Sequence, residues 1–151
     1  MPGNGKSTTC ASLISERLRR HAGICVTVED PPEMPLHGRH GKGLCLQREV
    51  GINSTFEACV IETLRAYPTQ VNSILMIGEV REPSTASLAL NASIDGRLVI
   101  VTLHASSIVH SIQRICTIAS ENMAERAARE LLSSGLRLCI HQKITNGALS
   151  Y

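Results

Sequence analysis

Six residues near the start of the chain, Gly3-Asn4-Gly5-Lys6-Ser7-Thr8, have the types and spacing that hold a polyphosphate. They match the second half of the Walker A motif, G-x-x-x-x-G-K-[ST]. Glycines at these positions let successive backbone N–H groups face phosphate oxygens with no side chain in the way. A helix opening at Lys6 or Ser7 turns its positive end toward the same anion. Lys6 would reach the β- and γ-phosphates, and the Ser7 hydroxyl would ligate Mg²⁺. The first glycine of the full motif would stand one position before Met1.

Three further candidates each follow an apolar run. Val28 is followed by Glu29-Asp30, Ile77 by Gly78-Glu79, and Leu103 by His104. In open parallel sheets, ligands bind beyond the carboxyl ends of the strands, so Glu29, Glu79 and His104 are expected to converge on the phosphate crevice. Taken singly, each reads better as a polar residue in a wet loop. Three in order behind a phosphate loop make convergence the stronger reading. Ile74-Leu75-Met76-Ile77-Gly78-Glu79 fits a Walker B segment, which delivers a carboxylate to Mg²⁺ and its water, as phosphoryl transfer to water requires. His104 can donate to a γ-phosphate oxygen, or change partners when that phosphate leaves.

The elements that must position these residues alternate between helix and strand. Lys6 to Arg20 reads as a helix with Ala11, Leu13, Ile14 and Leu18 apolar, a Glu16–Arg20 pair, and Gly23 closing it. Cys25–Val28 reads as a strand. The following stretch holds Pro31, Pro32, Pro35, Gly38, Gly41 and Gly43, and so many breakers predict a long loop without regular structure. Ser54 with Glu57 fits a capping box for a helix running to about Tyr67, ahead of Pro68. A strand at Ile74–Ile77, a short helix from Ser84 to about Asn91 and a strand at Leu98–Leu103 follow. Helices near Ile108–Ile118 and Met123–Leu138 and a last strand within Cys139–Ile144 complete the chain. Strands that are apolar throughout, rather than alternating, are buried on both faces of a parallel sheet flanked by helices. The expected fold class is therefore α/β, with residues 1–151 a single domain.

Composition narrows the function. The 151 residues are 43% apolar and 19% charged, in the range of a globular protein with a core. No apolar run approaches the roughly 18 residues of a membrane span, and no charged-then-apolar leader opens the sequence. Net charge is only +2, and Arg39, His40 and Lys42 form the one compact basic loop, so a nucleic-acid footprint is not expected. Cys10, Cys25, Cys45, Cys59, Cys116 and Cys139 include no C-x-x-C pair, so zinc is poorly supported and free thiols in a reducing compartment are expected. With only Phe56, Tyr67 and Tyr151 aromatic, the core must be aliphatic.

Four segments in order carry a family resemblance. They are Gly3 to Thr8; Val28-Glu29-Asp30-Pro31-Pro32-Glu33, continuing to Gln47-Arg48-Glu49-Val50-Gly51; Ile77-Gly78-Glu79-Val80-Arg81-Glu82 with Thr85-Ala86; and Gly96-Arg97-Leu98-Val99 through Thr102-Leu103-His104-Ala105. The sequence resembles the motor ATPases of type II secretion, type IV pili and related conjugation systems, over nearly its whole length. The resemblance implies a P-loop NTPase core of the RecA-like kind, a homo-hexamer that uses ATP and Mg²⁺, and an inner-membrane platform protein as partner. It implies a cytoplasmic location, peripheral at the inner membrane through that partner. It also implies roles: Glu29 as the carboxylate that helps activate the attacking water, Glu79 as the Walker B glutamate, and His104 as the histidine-box sensor. Arg48 and Arg81 become candidates for stabilising phosphate charge, with structural ion pairs to nearby glutamates as the equal alternative.

The sequence departs from the family where Arg97 follows the histidine-box glycine and where Asn72 stands before the Walker B segment; the Pro32-Glu33-Met34-Pro35-Leu36-His37-Gly38 stretch resembles the plasmid thin-pilus or type IVB-like branch. Against the family pattern, the strand that feeds the P-loop, the N-terminal domain and the family's further helices beyond those read here are expected to be absent, leaving one sheet edge open. Two other readings stay open: a non-catalytic truncated fragment of such an ATPase, and a P-loop nucleic-acid translocase.

Overall fold

The computed structural model describes residues 4–145 and 148–150, with side chains described up to residue 144. Gly3 lies outside the described residues. The elements in order are α1 (Lys6–His21), β1 (Ile24–Glu29), β2 (Gly38–His40), β3 (Gly43–Glu49), α2 (Phe56–Ala66), β4 (Ser73–Ile77), α3 (Pro83–Ile94), β5 (Leu98–Val101), α4 (Ile108–Ser120), α5 (Glu125–Gly135), β6 (Lys143–Thr145) and β7 (Ala148–Ser150). The main sheet has the order β2-β3-β1-β4-β5, with β3, β1, β4 and β5 mutually parallel and only β2 antiparallel. The α/β expectation therefore holds.

Strand periodicity divides the core into two layers. Ile74 and Met76 of β4 face α1 and pack with Ile14, Leu18, Cys25 and Cys45; Leu75 and Ile77 face the other way, among residues of α2, α3, α4 and α5. This explains why the strand is apolar throughout. Helix α1 forms because Ile14 and Leu18, one turn apart, are both fully buried, while Glu16 pairs with Arg20 on the exposed side. Arg19, Arg20 and His21 suit its negative end. Its first turn contains no acid and no side-chain cap, so the amides there remain open to an outside anion.

The structure corrects the sequence reading of residues 31–49. Where a structureless loop was expected, β2 and β3 form a hairpin that turns at Gly41-Lys42, and β3 pairs with β1 from Leu44 to Glu49. The glycines serve the strand pairing instead of breaking it. Gly41 takes φ 61° at the turn, and Gly43 is buried where α1 crosses the sheet: a Cβ there would lie 2.7 Å from Leu18 Cβ and 2.9 Å from its carbonyl oxygen.

Smaller differences have local causes. Thr55, not Ser54, caps α2 by accepting from the Ala58 amide, because the Ser54 hydroxyl is turned onto Gly51. Helix α3 starts at Pro83, a residue pre-set for the first helical position, and continues to Ile94. Strand β5 stops at Val101, and the last strand pairs in a separate β6–β7 hairpin. Among the described residues no strand pairs with the outer edge of β5.

Leu18→Ala should destabilise the fold by about 2–5 kcal/mol through the cavity it leaves. Gly43→Ala should cost about 1–3 kcal/mol by forcing α1 off the sheet. Urea unfolding midpoints of the two variants against the parent check both.

Candidate functional site

Hydrogen bonds continue the sheet past its formal strand ends and set the sequence-flagged residues in a row. The Gly78 amide donates to Val28 O (2.8 Å) and the Val80 amide to Thr102 O (3.1 Å); the Thr102 hydroxyl donates to Gly78 O. Glu29 thus ends β1, Glu79 lies just past β4 and His104 just past β5. The amino end of α1 lies over the same edge.

Side chains link across it. Lys6 Nζ donates to Leu103 O (3.3 Å) and contacts His104 Nδ1 (3.3 Å); His104 Nε2 lies 3.3 Å from Glu79 Oε1, and Glu79 Oε2 takes the Arg81 guanidinium. An ammonium can only donate, so Nδ1 must be the accepting nitrogen, and the ring proton sits on Nε2, facing Glu79. The Arg81 guanidinium holds the Glu79 carboxyl below its ordinary range, against a smaller opposing push from burial, with His104 and Lys6 adding to the lowering.

Glu29 is built differently. Only 6% exposed, it receives both the Thr27 hydroxyl (2.6 Å) and Gln47 Nε2 (3.2 Å) on one oxygen, Oε1. No hydrogen bond to its second oxygen forms among the described residues. Gly78 leaves room for this side chain: a Cβ there would lie 3.2 Å from Glu29 Cγ. The arrangement is a carboxylate fixed at one oxygen by neutral donors and unoccupied at the other, as a proton acceptor for a positioned water needs.

At the start of α1, Gly5 takes a left-handed φ of 75° as the N-cap, and Asn4 is tied to the far end of the chain: Gln142 Nε2 donates to its carbonyl (2.7 Å) and the Ile144 amide to its side-chain oxygen (3.3 Å). The Ser7 hydroxyl donates to Glu33, an exposed acid of the segment after β1. Ser7, Glu33 and Glu79 supply the hard oxygen donors that Mg²⁺ prefers. Among the described residues no group of three or more histidine, cysteine or acidic side chains could hold a metal.

Not every candidate joins the cluster. Arg48 faces the opposite side of β3, where it pairs with Glu62 of α2. Thr8 is exposed in the first turn of α1. Sequence reasoning assigned no role to Thr27, Glu33, Gln47 or Gly78. The period-2 rule could have flagged Thr27, two residues before Glu29 on the same strand face. A cleft of about 450 Å³ beside Glu79 and Arg81 is lined in part by Asp30, Phe56 and Thr85. A larger one of about 690 Å³, between α4 and α5, contains none of the strand-end residues. Among the described residues no helix is long and apolar enough to cross a membrane.

The chain is 37% identical over 114 residues to the type IV pilus ATPase PilU of Pseudomonas aeruginosa, covering 75% of this chain and 28% of that protein. It is 32% identical over 148 residues to the type II secretion system protein HxcR of the same organism, covering 94% of this chain and 29% of that one. Its fold superposes on a crystal structure of the pilus retraction motor PilT with bound ADP at a TM-score of 0.76 and 35% identity, over 89% of this chain and 37% of that one. The chain thus spans well under half the length of these relatives. With the matching family running from residue 2 to residue 150, the chain belongs to the type II/IV secretion system proteins.

Proposed function

We propose that this chain is the nucleotide-hydrolysing core of a motor ATPase that powers pilus assembly, pilus retraction or type II-like secretion. The observation that supports it best is the convergence of Lys6, Glu29, Glu79 and His104 on the uncapped amino end of α1. The polyphosphate of ATP would lie on the amides of Gly5 to Thr8, with Gly3 and Asn4 completing the loop. Lys6 would leave Leu103 O and His104 for the β- and γ-phosphates. Bound Mg²⁺, held by Ser7 with Glu79 or Glu33, would neutralise phosphate charge. A water on the γ-phosphorus would pass its proton to the free oxygen of Glu29 as the bond to the bridging oxygen breaks and ADP leaves. His104, released by Lys6 and still facing Glu79, would register whether the γ-phosphate is present. Arg81 would neutralise charge at the Glu79 side. Arg48 would reach phosphate only across a subunit boundary. Work on a pilus or secretion machine would require a homo-hexamer, cytoplasmic and docked on an inner-membrane platform protein.

Mg²⁺-dependent binding of a fluorescent ATP analogue and phosphate release test this reading. Lys6→Ala should abolish binding. Glu79→Gln should keep binding and lower turnover, and Glu29→Gln should lower turnover by about 10²- to 10⁴-fold with binding intact. A folded parent that neither binds nor hydrolyses ATP would leave the family relationship as a statement of ancestry alone. Because Arg81 is the main cause of the low Glu79 value, Arg81→Ala should move the Glu79 carboxyl titration up toward the ordinary range, read by carbon-13 NMR.

A further inference from the structure

Gln47 is the residue the proposed chemistry leaves unused and the hydrogen bonds single out. Its carboxamide has two N–H donors and two acceptor lone pairs, and all four are engaged. The oxygen accepts from the Leu36 and His37 amides, both at 2.8 Å; the nitrogen donates to Met34 O (2.8 Å) and to Glu29 Oε1 (3.2 Å). The Gln47 amide also donates to His37 Nδ1 (3.3 Å). This pattern fixes the orientation of the amide, since a flipped group would set its NH₂ against two N–H donors. Strand register places it there: Gln47 lies opposite Thr27, two residues before the Glu29–Glu49 pair, so its side chain shares the α1 face with Glu29.

The segment that Gln47 grips begins at Glu33, whose carboxylate accepts from Ser7 in the first turn of α1. One chain of contacts therefore runs from Ser7 through Glu33 and Met34 to the carboxamide, and from there to the fixed oxygen of Glu29. We propose that Gln47 is the positioning residue for Glu29, clamping the Leu36 and His37 amides with its oxygen, and holding Met34 O and aiming the carboxylate with its nitrogen. The position of the phosphate-loop serine is thereby communicated to the carboxylate. The catalytic half of this proposal rests on Glu29 acting as the base. No other side chain of similar length fits: glutamate could hold the two loop amides but could not donate to Glu29, and arginine or lysine could only donate.

That asymmetry supplies the test. Gln47→Glu keeps acceptors for Leu36 and His37, loses both donors and sets a like charge beside Glu29; Gln47→Ala loses everything and, adding no charge, separates lost positioning from repulsion. Amide hydrogen exchange at Leu36 and His37, together with kcat and KM for ATP, would be measured on both variants and the parent. The expected result is parent-like protection in Gln47→Glu with kcat down on the order of 10- to 100-fold and KM nearly unchanged, as for a mispositioned reactive group. In Gln47→Ala the two amides exchange faster as well. Parent-like kcat in Gln47→Glu, or a change in KM alone, overturns the positioning role. A parent without turnover sinks the Glu29 reading, and exchange then decides the clamp: unchanged rates at Leu36 and His37 in Gln47→Ala overturn it too.

Discussion

Everything at the strand ends depends on how α1 is seated across the sheet. Ile14 and Leu18 have no exposure, and Leu18 is pressed onto a strand whose crossing residue has no side chain, Gly43. That contact sets the height and direction of the helix. About three turns of rigid backbone then carry the direction forward to Lys6, whose ammonium arrives 3.3 Å from the Leu103 carbonyl just past β5. The charged contacts are therefore set by apolar packing at the other end of the helix. Close-packed interiors resist small shifts, so the accuracy needed at Lys6 comes from methyl groups around Leu18.

The second dependency is parity along the strands. Thr27, Glu29 and Gln47 share one face because β1 and β3 run parallel with Thr27 opposite Gln47. A slip of one residue would bring Arg48 to the face that now receives Gln47, setting a full positive charge where a neutral amide stands. In the actual register Arg48 meets Glu62 instead, on the α2 side. The two carboxylates of the site thus have opposite surroundings. Glu79 lies among cations and a histidine, and Glu29 is touched by neutral donors.

Much of this could be read from the sequence. The apolar runs ending in Glu29, Gly78-Glu79 and Leu103-His104 identified the strands, and β4, buried on nearly every residue, shows why its run does not alternate. Lys6 and Ser7 were legible as the opening of a helix, and α1 does start at Lys6. The β2–β3 hairpin was not. Its glycines look like breakers until one knows that a helix presses on Gly43 and a turn needs Gly41, and both facts concern neighbours distant in sequence. Gln47 was visible as part of a motif, but its role depends on three backbone groups of another segment. Glu33 was hidden for a similar reason: an exposed acid beside prolines looks like ordinary loop surface until Ser7 is brought to it by the packing of α1.

The bond from Gln142 to Asn4 spans 138 positions of the chain, and that between Lys6 and His104 spans 98. Loops this long are the slow part of folding, because their entropy must be paid before any contact rewards it. During synthesis Asn4 stays without this fastening until Gln142 has been made and folded back onto it. The turn that opens α1 is thereby fastened by a residue made 138 positions later, and its final arrangement waits on the packing of both ends.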